Sequence, residues 1–310
     1  VILLEKMPML GGNSIRSGGA YNAVDPKRQE AQGIEDSVER HFSNTYHGGD
    51  EEGRIKLIYT LVDNAYQGIE WLESMGMGFE DEVFTVLGAL WKRSHEPSAP
   101  LGTGFINTLR AQAEENGVKI LLNTKAEALI EEKGRIVGVK AITEAGNFEL
   151  RADKGVVLAA GGFSANIKIR KKYNPLLDEK TKTTNHPGAT GDGIVMAESV
   201  DAALIGMEHI QSLPLGDPET GSLTGWAGMG VENFIFVNKK GERFVSEADR
   251  RDVMTNALIE QPDSFMYVVC DAHSMPEGSR NAFNEPIEEL VAKGKTLKAM
   301  TIEGLAEKMN

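Results

Sequence analysis

The first five residues, Val-Ile-Leu-Leu-Glu, form an apolar run that ends in an acid, and a glycine-rich turn follows at residues 11–14 (Gly-Gly-Asn-Ser). This order predicts a buried strand whose terminal acid, Glu5, lies beside the turn. In a dinucleotide-binding fold, an acid at such a strand end binds the ribose hydroxyls of the adenosine. A strand, a G-x-G-x-x-G turn and a helix normally come before it. The sequence therefore predicts an α/β nucleotide-binding domain and a chain that begins inside it.

The composition is that of a soluble globular protein with about two domains, because 310 residues with 41% hydrophobic content can bury a large core. The net charge of -13 argues against nucleic-acid binding, which needs clustered Lys and Arg. The short basic run at 168–172 is interpreted as a solvated helix face. The single cysteine, Cys270, excludes a disulfide or a cysteine-ligated cluster within the chain, and the scattered histidines predict no metal site.

The sequence has no apolar stretch near the roughly 18 residues that a membrane-spanning helix requires. It has no recognisable signal peptide either, but it does not begin with Met, so a leader could have been removed. The compartment therefore stays open between the cytoplasm and the periplasm or cell envelope.

The pattern along the chain predicts a layered α/β domain, residues 1–207, followed by a second, α+β domain, residues 208–310. The first domain is expected to carry two helices within 34–75, a helix at 105–115, a small antiparallel pair at 128–131 and 136–142, and a strand returning to the main sheet within 148–160. The second begins with a loop stretch rich in glycine and proline. It continues with strands near 234–237 and 266–269 and helices at 286–292 and 302–309.

Five further segments, in this order, carry a family resemblance: Ser-Gly-Gly-Ala at 17–20 with Asn22, Asn-Thr-Lys-Ala at 123–126, the run at 156–163, Thr-Asn-His-Pro-Gly-Ala-Thr-Gly-Asp-Gly at 184–193, and Gly-Glu-Arg-Phe-Val-Ser-Glu at 241–247 with Arg251 and Asp252. Together they resemble the fumarate reductase/succinate dehydrogenase flavoprotein family, in its soluble flavocytochrome-type branch of fumarate and urocanate reductases. The resemblance implies a partial Rossmann-like FAD-binding domain, lacking its first βα unit and its C-terminal segment. It also implies an incomplete cap, or clamp, domain that closes over the flavin and the substrate.

The same resemblance implies that FAD is the cofactor and indicates which residues hold it. Glycine suits positions where backbone N–H groups approach a pyrophosphate or a flavin closely, although ordinary turn-making explains any one glycine equally well. The predicted cofactor-binding residues are Glu5, Gly11, Gly12, Asn13, Ser14, Ser17, Gly18, Gly19, Ala126, Ala160, Gly161, Asp192 and Gly193.

Arg251 is the predicted catalytic residue, because its spacing after Glu247 and before Asp252 matches the family's proton-donating arginine. An arginine normally retains its proton, so Glu247 and Asp252 are predicted to relay protons to it. Arg250 is the register alternative. A surface arginine paired with Asp249 or Asp252 is the structural alternative.

The predicted substrate contacts are Gly19, Leu213 and Thr224. Leu213 stands where fumarate reductases carry a substrate-binding His, and a Leu cannot donate a hydrogen bond to a carboxylate, so fumarate is not the expected substrate. Leu213 with Trp226 instead suggests a less polar or aromatic substrate end. Arg93 and His95 are assigned to a loop that either approaches the active site or is simply solvated.

The expected function is reduction of the C=C bond of an α,β-unsaturated carboxylate. A 3-ketosteroid dehydrogenase-like flavoprotein is the alternative enzyme. The third alternative is a non-catalytic fragment, because the family's later His and Arg motifs are absent from this chain. There is no haem-attachment C-x-x-C-H pattern, so the electron donor stays open among a reduced flavin, a quinol and a cytochrome.

Overall fold

The structure is a computed structural model that describes residues 1–224, 231–275, 278–281 and 284–309. Within these ranges the strands are β1 (Ile2–Leu4), β2 (Tyr21–Asn22), β3 (Phe79–Phe84), β4 (Ser94–Pro97), β5 (Lys119–Leu121), β6 (Lys125–Glu132), β7 (Arg135–Thr143), β8 (Gly146–Arg151), β9 (Ile235–Val237) and β10 (Tyr267–Val269). The α-helices are α1 (Pro26–Ala31), α2 (Val38–Gly48), α3 (Ile55–Ser74), α4 (Thr103–Glu115), α5 (Ile167–Tyr173), α6 (Asp192–Glu198), α7 (Arg251–Ile259), α8 (Ile287–Ala292) and α9 (Ile302–Met309). The predicted α/β class is confirmed.

The chain folds into two compact units. The first unit comprises Val1–Arg16 and Ile106–Ile210, and the second comprises Ser17–Phe105 and Gln211–Asn310. This grouping differs from the predicted boundary at 207, because Ser17–Phe105 joins the C-terminal part of the chain. The assignment of a cofactor domain and a cap domain stays a prediction.

In the first unit, β1 pairs in parallel with β5, with Ile2 opposite Lys119 and Leu4 opposite Leu121. The N–H of Glu5 donates to the Leu121 carbonyl at 2.9 Å and so continues the pairing to the end of the strand. Strands β6, β7 and β8 form an antiparallel sheet of their own, which confirms the predicted antiparallel insertion. Its hairpin turns at Lys133 and Gly134, both with positive φ.

One predicted strand of the first unit is wrong. The segment within 148–160 was expected to return to the main sheet, but β8 ends at Arg151 and pairs with β7, and residues 156–163 form no strand. The physical reason is the lack of a neighbour, since a strand exists only where a second strand supplies its hydrogen bonds. Among the described residues β1 pairs only with β5, and Val157 is accordingly 90% exposed.

In the second unit, β3, β4 and β2 form an antiparallel sheet, with β4 in the centre, and α3 packs its apolar face against it. The buried positions of α3 recur every three to four residues, as an amphipathic helix requires. They are Val62, Ala65, Ile69 and Leu72. The two helices predicted within 34–75 are α2 and α3, and the helix predicted at 105–115 is α4, so these predictions are confirmed. Strands β3 and β4 were not predicted.

A second core of the same unit joins the loop after β3 to the C-terminal part of the chain. Leu87 packs there with Phe234, Phe236 and Met254, all nearly inaccessible to solvent. Strands β9 and β10 pair antiparallel beside it, close to the predicted positions. In the part of the chain that the structure describes, no helix is both long enough and apolar enough to cross a bilayer.

Candidate flavin site and catalytic arginine

The carboxyl end of β1 places Glu5 next to the turn that follows it. The Glu5 carboxylate accepts the Met7 backbone N–H at 2.8 Å, and the Glu5 carbonyl accepts the Thr124 N–H at 2.9 Å. The Asn123 N–H donates to the Met7 carbonyl at 3.1 Å. These bonds bring the 123–126 segment, with Ala126 at the start of β6, beside the predicted ribose-binding acid.

The glycine turn needs its glycines for two different reasons. A Cβ on Gly11 would lie 2.8 Å from the Cβ of Ile15, so close packing excludes a side chain there. Gly12 has φ +48, a backbone conformation that favours glycine. A Cβ added there would have no heavy atom within 4 Å, so the space beside it is open. Ser14 begins the short 3-10 helix Ser14–Arg16 that ends the turn.

Asn13 connects this turn to the 184–193 segment. Its carboxamide oxygen accepts the His186 N–H at 2.6 Å, and its Nδ2 donates to Asn185 Oδ1 at 2.5 Å. Arg16 Nη1 donates to the Asn185 carbonyl at 2.9 Å. The Asn13 side chain therefore positions the neighbouring segment through both of its polar atoms.

Asp192, the first residue of α6, forms an ion pair that the sequence analysis missed. Lys6 Nζ lies 2.9 Å from Asp192 Oδ2 and 2.5 Å from the Thr190 hydroxyl, which donates to Asp192 Oδ1 at 2.7 Å. Burial would raise the pKa of Asp192, but the hydrogen bonds from Lys6 and Thr190 outweigh it and hold this pKa below its usual value. Asp192 is thus a carboxylate held in place by Lys6, the residue after Glu5.

Ala160 and Gly161 lie against the start of the same helix. A Cβ on Gly193 would lie 2.9 Å from the Ala160 Cβ, and the Gly191 N–H donates to the Gly162 carbonyl at 3.0 Å. Gly161 has φ +75 and open space where a side chain would stand. The first unit therefore brings four of the predicted segments together, and their role in binding FAD stays a prediction.

Ser17, Gly18 and Gly19 belong to the second unit. The Ser17 carbonyl accepts the Gly102 N–H at 3.1 Å. Gly19 has φ +81, and a Cβ there would lie 2.5 Å from the Leu101 carbonyl oxygen. Packing against the loop before α4 thus accounts for the glycine at position 19.

Arg251 and Arg250, adjacent at the start of α7, have opposite environments. Arg251 donates from Nε (3.1 Å) and Nη2 (2.9 Å) to the Leu87 carbonyl and from Nη1 (2.9 Å) to Gln211 Oε1. Burial lowers the pKa of the Arg251 guanidinium. Arg250 instead forms ion pairs with Asp50 and Asp252 at 2.5 Å each. Of the two arginines, Arg251 is the one held by neutral groups.

The predicted relay acids are engaged elsewhere. Glu247 is buried and forms an ion pair with Arg243 at 2.6 Å, and its other oxygen accepts the Phe236 N–H at 2.7 Å. Asp252 binds Arg250. Neither acid contacts Arg251 in the described part of the chain, so the structure shows no direct hydrogen-bonded path from them to the guanidinium.

The other predicted residues have mainly structural contacts. Leu213 packs against the second core of its unit, and the Thr224 hydroxyl donates to Glu285 Oε1 at 2.6 Å. Trp226 lies outside the described residues.

Arg93 and His95 do not belong to a solvated loop. Arg93 forms a buried ion pair with Asp36, and His95 is fully buried with its Nδ1 3.1 Å from the Tyr21 carbonyl. Among the described residues no cluster of His, Cys, Asp and Glu is arranged to hold a metal ion.

This geometry agrees with the comparison to known proteins. The model of the FAD-binding domain family matches residues 1–306, and the chain belongs to this family. The predicted cofactor, FAD, and the family resemblance are confirmed.

Individual relatives refine this picture. The chain is 38% identical over 314 residues to the urocanate reductase of Eggerthella lenta, covering 99% of the chain and 52% of the relative. It is 34% identical over 370 residues to the NADH:acrylate oxidoreductase of Vibrio harveyi, covering 100% of the chain and 37% of the relative. The chain thus spans between about a third and about half of the curated relatives it matches.

Solved structures give the same fold. The open conformation of a flavocytochrome c3 fumarate reductase superposes with a TM-score of 0.77 at 32% identity, covering 100% of this chain and 54% of that one. A 3-ketosteroid-Δ4-(5α)-dehydrogenase from Rhodococcus jostii superposes with a TM-score of 0.73 at 22% identity, covering 99% of this chain and 71% of that one. The second likeness shows the fold alone.

The predicted cofactor site leads to a direct binding prediction. Gly161→Val should reduce the FAD content of the purified flavoprotein severalfold, because a branched side chain would enter the open space that the backbone leaves there. Gly134→Val is the matched control, since Gly134 also has φ +75 and open space but lies in the β6–β7 turn. The ratio of visible flavin absorption to protein absorption measures the difference. Equal FAD content in the two variants would remove Gly161 from the site.

Proposed function

We propose that the protein containing this chain is an FAD-dependent reductase that saturates the C=C bond of an α,β-unsaturated carboxylate, with Arg251 as the proton donor. The observation that carries the proposal is the half-buried Arg251 guanidinium, which has no acidic partner among the described residues. The names of the relatives, which are urocanate and acrylate reductases, support the substrate class.

The chemistry divides between the cofactor and the chain. Bound FAD, once reduced, supplies a hydride to the β carbon of the unsaturated acid. Arg251 gives a proton from one of its Nη atoms to the α carbon, which completes the saturated acid and leaves a neutral guanidine. Burial favours this step, because it lowers the pKa of a group that in water would keep its proton. The guanidine is then protonated again from solvent.

The first unit would hold the cofactor in this proposal. Glu5 would bind the adenosine ribose, Gly12 and Gly161 would allow the backbone to approach the phosphates and the flavin, and Asp192 would be kept in place by Lys6. NADH is the electron donor to test first, since relatives named for it are NADH:acrylate and NADH:fumarate oxidoreductases. A reduced flavin, a quinol and a cytochrome are the alternatives.

The function is tested with the complete flavoprotein and a panel of substrates. Reduced methyl viologen serves as an artificial donor, and its reoxidation is followed with acrylate, urocanate and fumarate. Turnover of at least one unsaturated acid is expected, with fumarate the slowest because Leu213 replaces a polar residue. Turnover of a 3-ketosteroid, together with no turnover of any of the acids, would contradict the proposal. It would favour the steroid dehydrogenase alternative, which is supported by the shared fold alone.

A further inference from the structure

The Arg251 guanidinium is bound by two neutral acceptors that come from different parts of the second unit. Leu87 supplies a backbone carbonyl from the loop after β3, and Gln211 supplies a side-chain carbonyl oxygen. A guanidinium has five N–H donors, and three of them are used here. One N–H on each of Nη1 and Nη2 is left for a substrate, since no other described residue accepts from them.

The Leu87 acceptor is rigid. The Leu87 side chain is 1% exposed and packs in the same core as Met254, which lies one turn after Arg251 on α7. The Val86 N–H donates to the Ser94 hydroxyl at 3.3 Å, and the Ala89 N–H donates to the Val86 carbonyl at 2.8 Å. One core therefore fixes both the helix that carries Arg251 and the carbonyl that receives two of its N–H groups.

Gly88 makes this close approach possible. It has φ +82, and a Cβ there would lie 3.0 Å from Arg251 Cγ and 3.2 Å from Arg251 Nε. A side chain would crowd the stem of the arginine, and the positive φ also disfavours an L-residue. The close approach of this loop to Arg251 therefore favours glycine at this position.

Arg250, the neighbour of Arg251, pairs with two acids at this end of α7. Arg250 binds Asp252 on the same helix and Asp50 from the segment between α2 and α3. These ion pairs do not involve Arg251, whose only side-chain acceptor in the described part of the chain is Gln211.

We infer that Gln211 is a positioning residue for the proton-transfer step. Its neutral amide orients the Arg251 guanidinium but does not hold the guanidinium proton as strongly as a carboxylate would. The inference rests on the proposed reductase function. It explains why an amide stands here: an acid of the same shape would stabilise the charged guanidinium, raise its pKa and slow the transfer of its proton.

The test compares Gln211→Glu and Gln211→Met in the complete flavoprotein. Gln211→Glu should lower kcat for the unsaturated acid about tenfold or more and move the alkaline limb of the kcat–pH profile to higher pH. Gln211→Met should lower kcat, because it leaves the guanidinium less well oriented, without moving that limb upward. The rate at which dithionite reduces the bound flavin should stay unchanged in both variants, which separates Arg251 chemistry from damage to the flavin site.

Gln261→Glu is the matched control, since Gln261 lies in the same unit and its amide binds Asn238 and the Ala257 carbonyl rather than Arg251. It should change neither kcat nor the pH profile. An unchanged kcat and alkaline limb in Gln211→Glu would overturn the inference about Gln211 while leaving the reductase proposal in place, provided that Arg251→Ala is inactive. An active Arg251→Ala would instead overturn the role of Arg251, and with it the inference.

Discussion

Arg251→Ala in the complete flavoprotein is expected to lower kcat for the unsaturated acid by about a hundredfold to ten-thousandfold, the range that a positioned general acid contributes. FAD content should not change, because the described hydrogen bonds of Arg251 go to Leu87 and Gln211, neither of which is predicted to bind FAD. Steady-state turnover with reduced viologen gives kcat, and visible absorption gives the FAD content.

Arg250→Ala is the matched control for this prediction, since it removes the same group from the adjacent position. Arg250 is bound by Asp50 and Asp252, and within the described ranges it has no neutral side-chain or carbonyl acceptor comparable to the Leu87 carbonyl. Its loss should leave kcat within about threefold of the parent protein, as expected for an exposed ion pair. If Arg250→Ala lost activity and Arg251→Ala kept it, the proton donor would have to be reassigned to Arg250.

Arg93→Met is expected to destabilise the second unit by about 3–5 kcal/mol, the usual cost of leaving one partner of a buried ion pair alone. Arg93 donates to Asp36 from both Nε (2.9 Å) and Nη2 (2.8 Å), and these two side chains are only 4% and 1% exposed. Arg93 also donates to Asn44 at 3.1 Å. The substitution would leave the Asp36 carboxylate buried without its cation.

Urea unfolding followed by tryptophan fluorescence measures this effect, because Trp71 and Trp91 belong to the second unit. Lys293→Met, which breaks the solvent-exposed pair with Glu289, is the control and should cost less than about 1 kcal/mol. If Arg93→Met lowered the free energy of unfolding no more than Lys293→Met does, the Asp36 ion pair would contribute little to stability.

The pair also predicts a dependence on pH. Burial would raise the pKa of Asp36, but the Arg93 and Gln29 hydrogen bonds outweigh it and hold the pKa below its usual value. Such a group stabilises the folded state above its unfolded pKa, and this contribution is lost as the pH falls through the lower, folded value. The stability difference between Arg93→Met and the parent protein should therefore shrink in acid.

Local patterns were sufficient to predict much of the fold. The apolar spacing from Val62 to Leu72 predicted α3, and the turn at Gly134 between two alternating runs predicted the β6–β7 hairpin. The apolar run near Val157 failed as a strand because pairing depends on a neighbour, which the run itself does not specify. Short strands such as β4 are set by distant partners, and their sequences contain no period to detect.

The sequence proposed residues for the candidate site but did not show their contacts. The glycine motifs predicted the cofactor segments and the spacing in 243–252 predicted Arg251 as catalytic, and both stay predictions. The sequence did not reveal that Glu247 and Asp252 bind other arginines, that Lys6 binds Asp192 or that Gln211 binds Arg251. These pairings arise from folding, and one of them, between Lys6 and Asp192, joins residues 186 positions apart.

Gly88 illustrates how mutational sensitivity can extend beyond functional groups. It has no side chain with which to bind or react, yet any L-residue there would have to adopt φ +82 and crowd the stem of Arg251. Random mutagenesis scored only for activity would therefore mark position 88 together with the arginine it accommodates. The range of residues that such a position tolerates then depends on the space that a neighbouring side chain occupies. A variant can be inactive although it has lost no functional group.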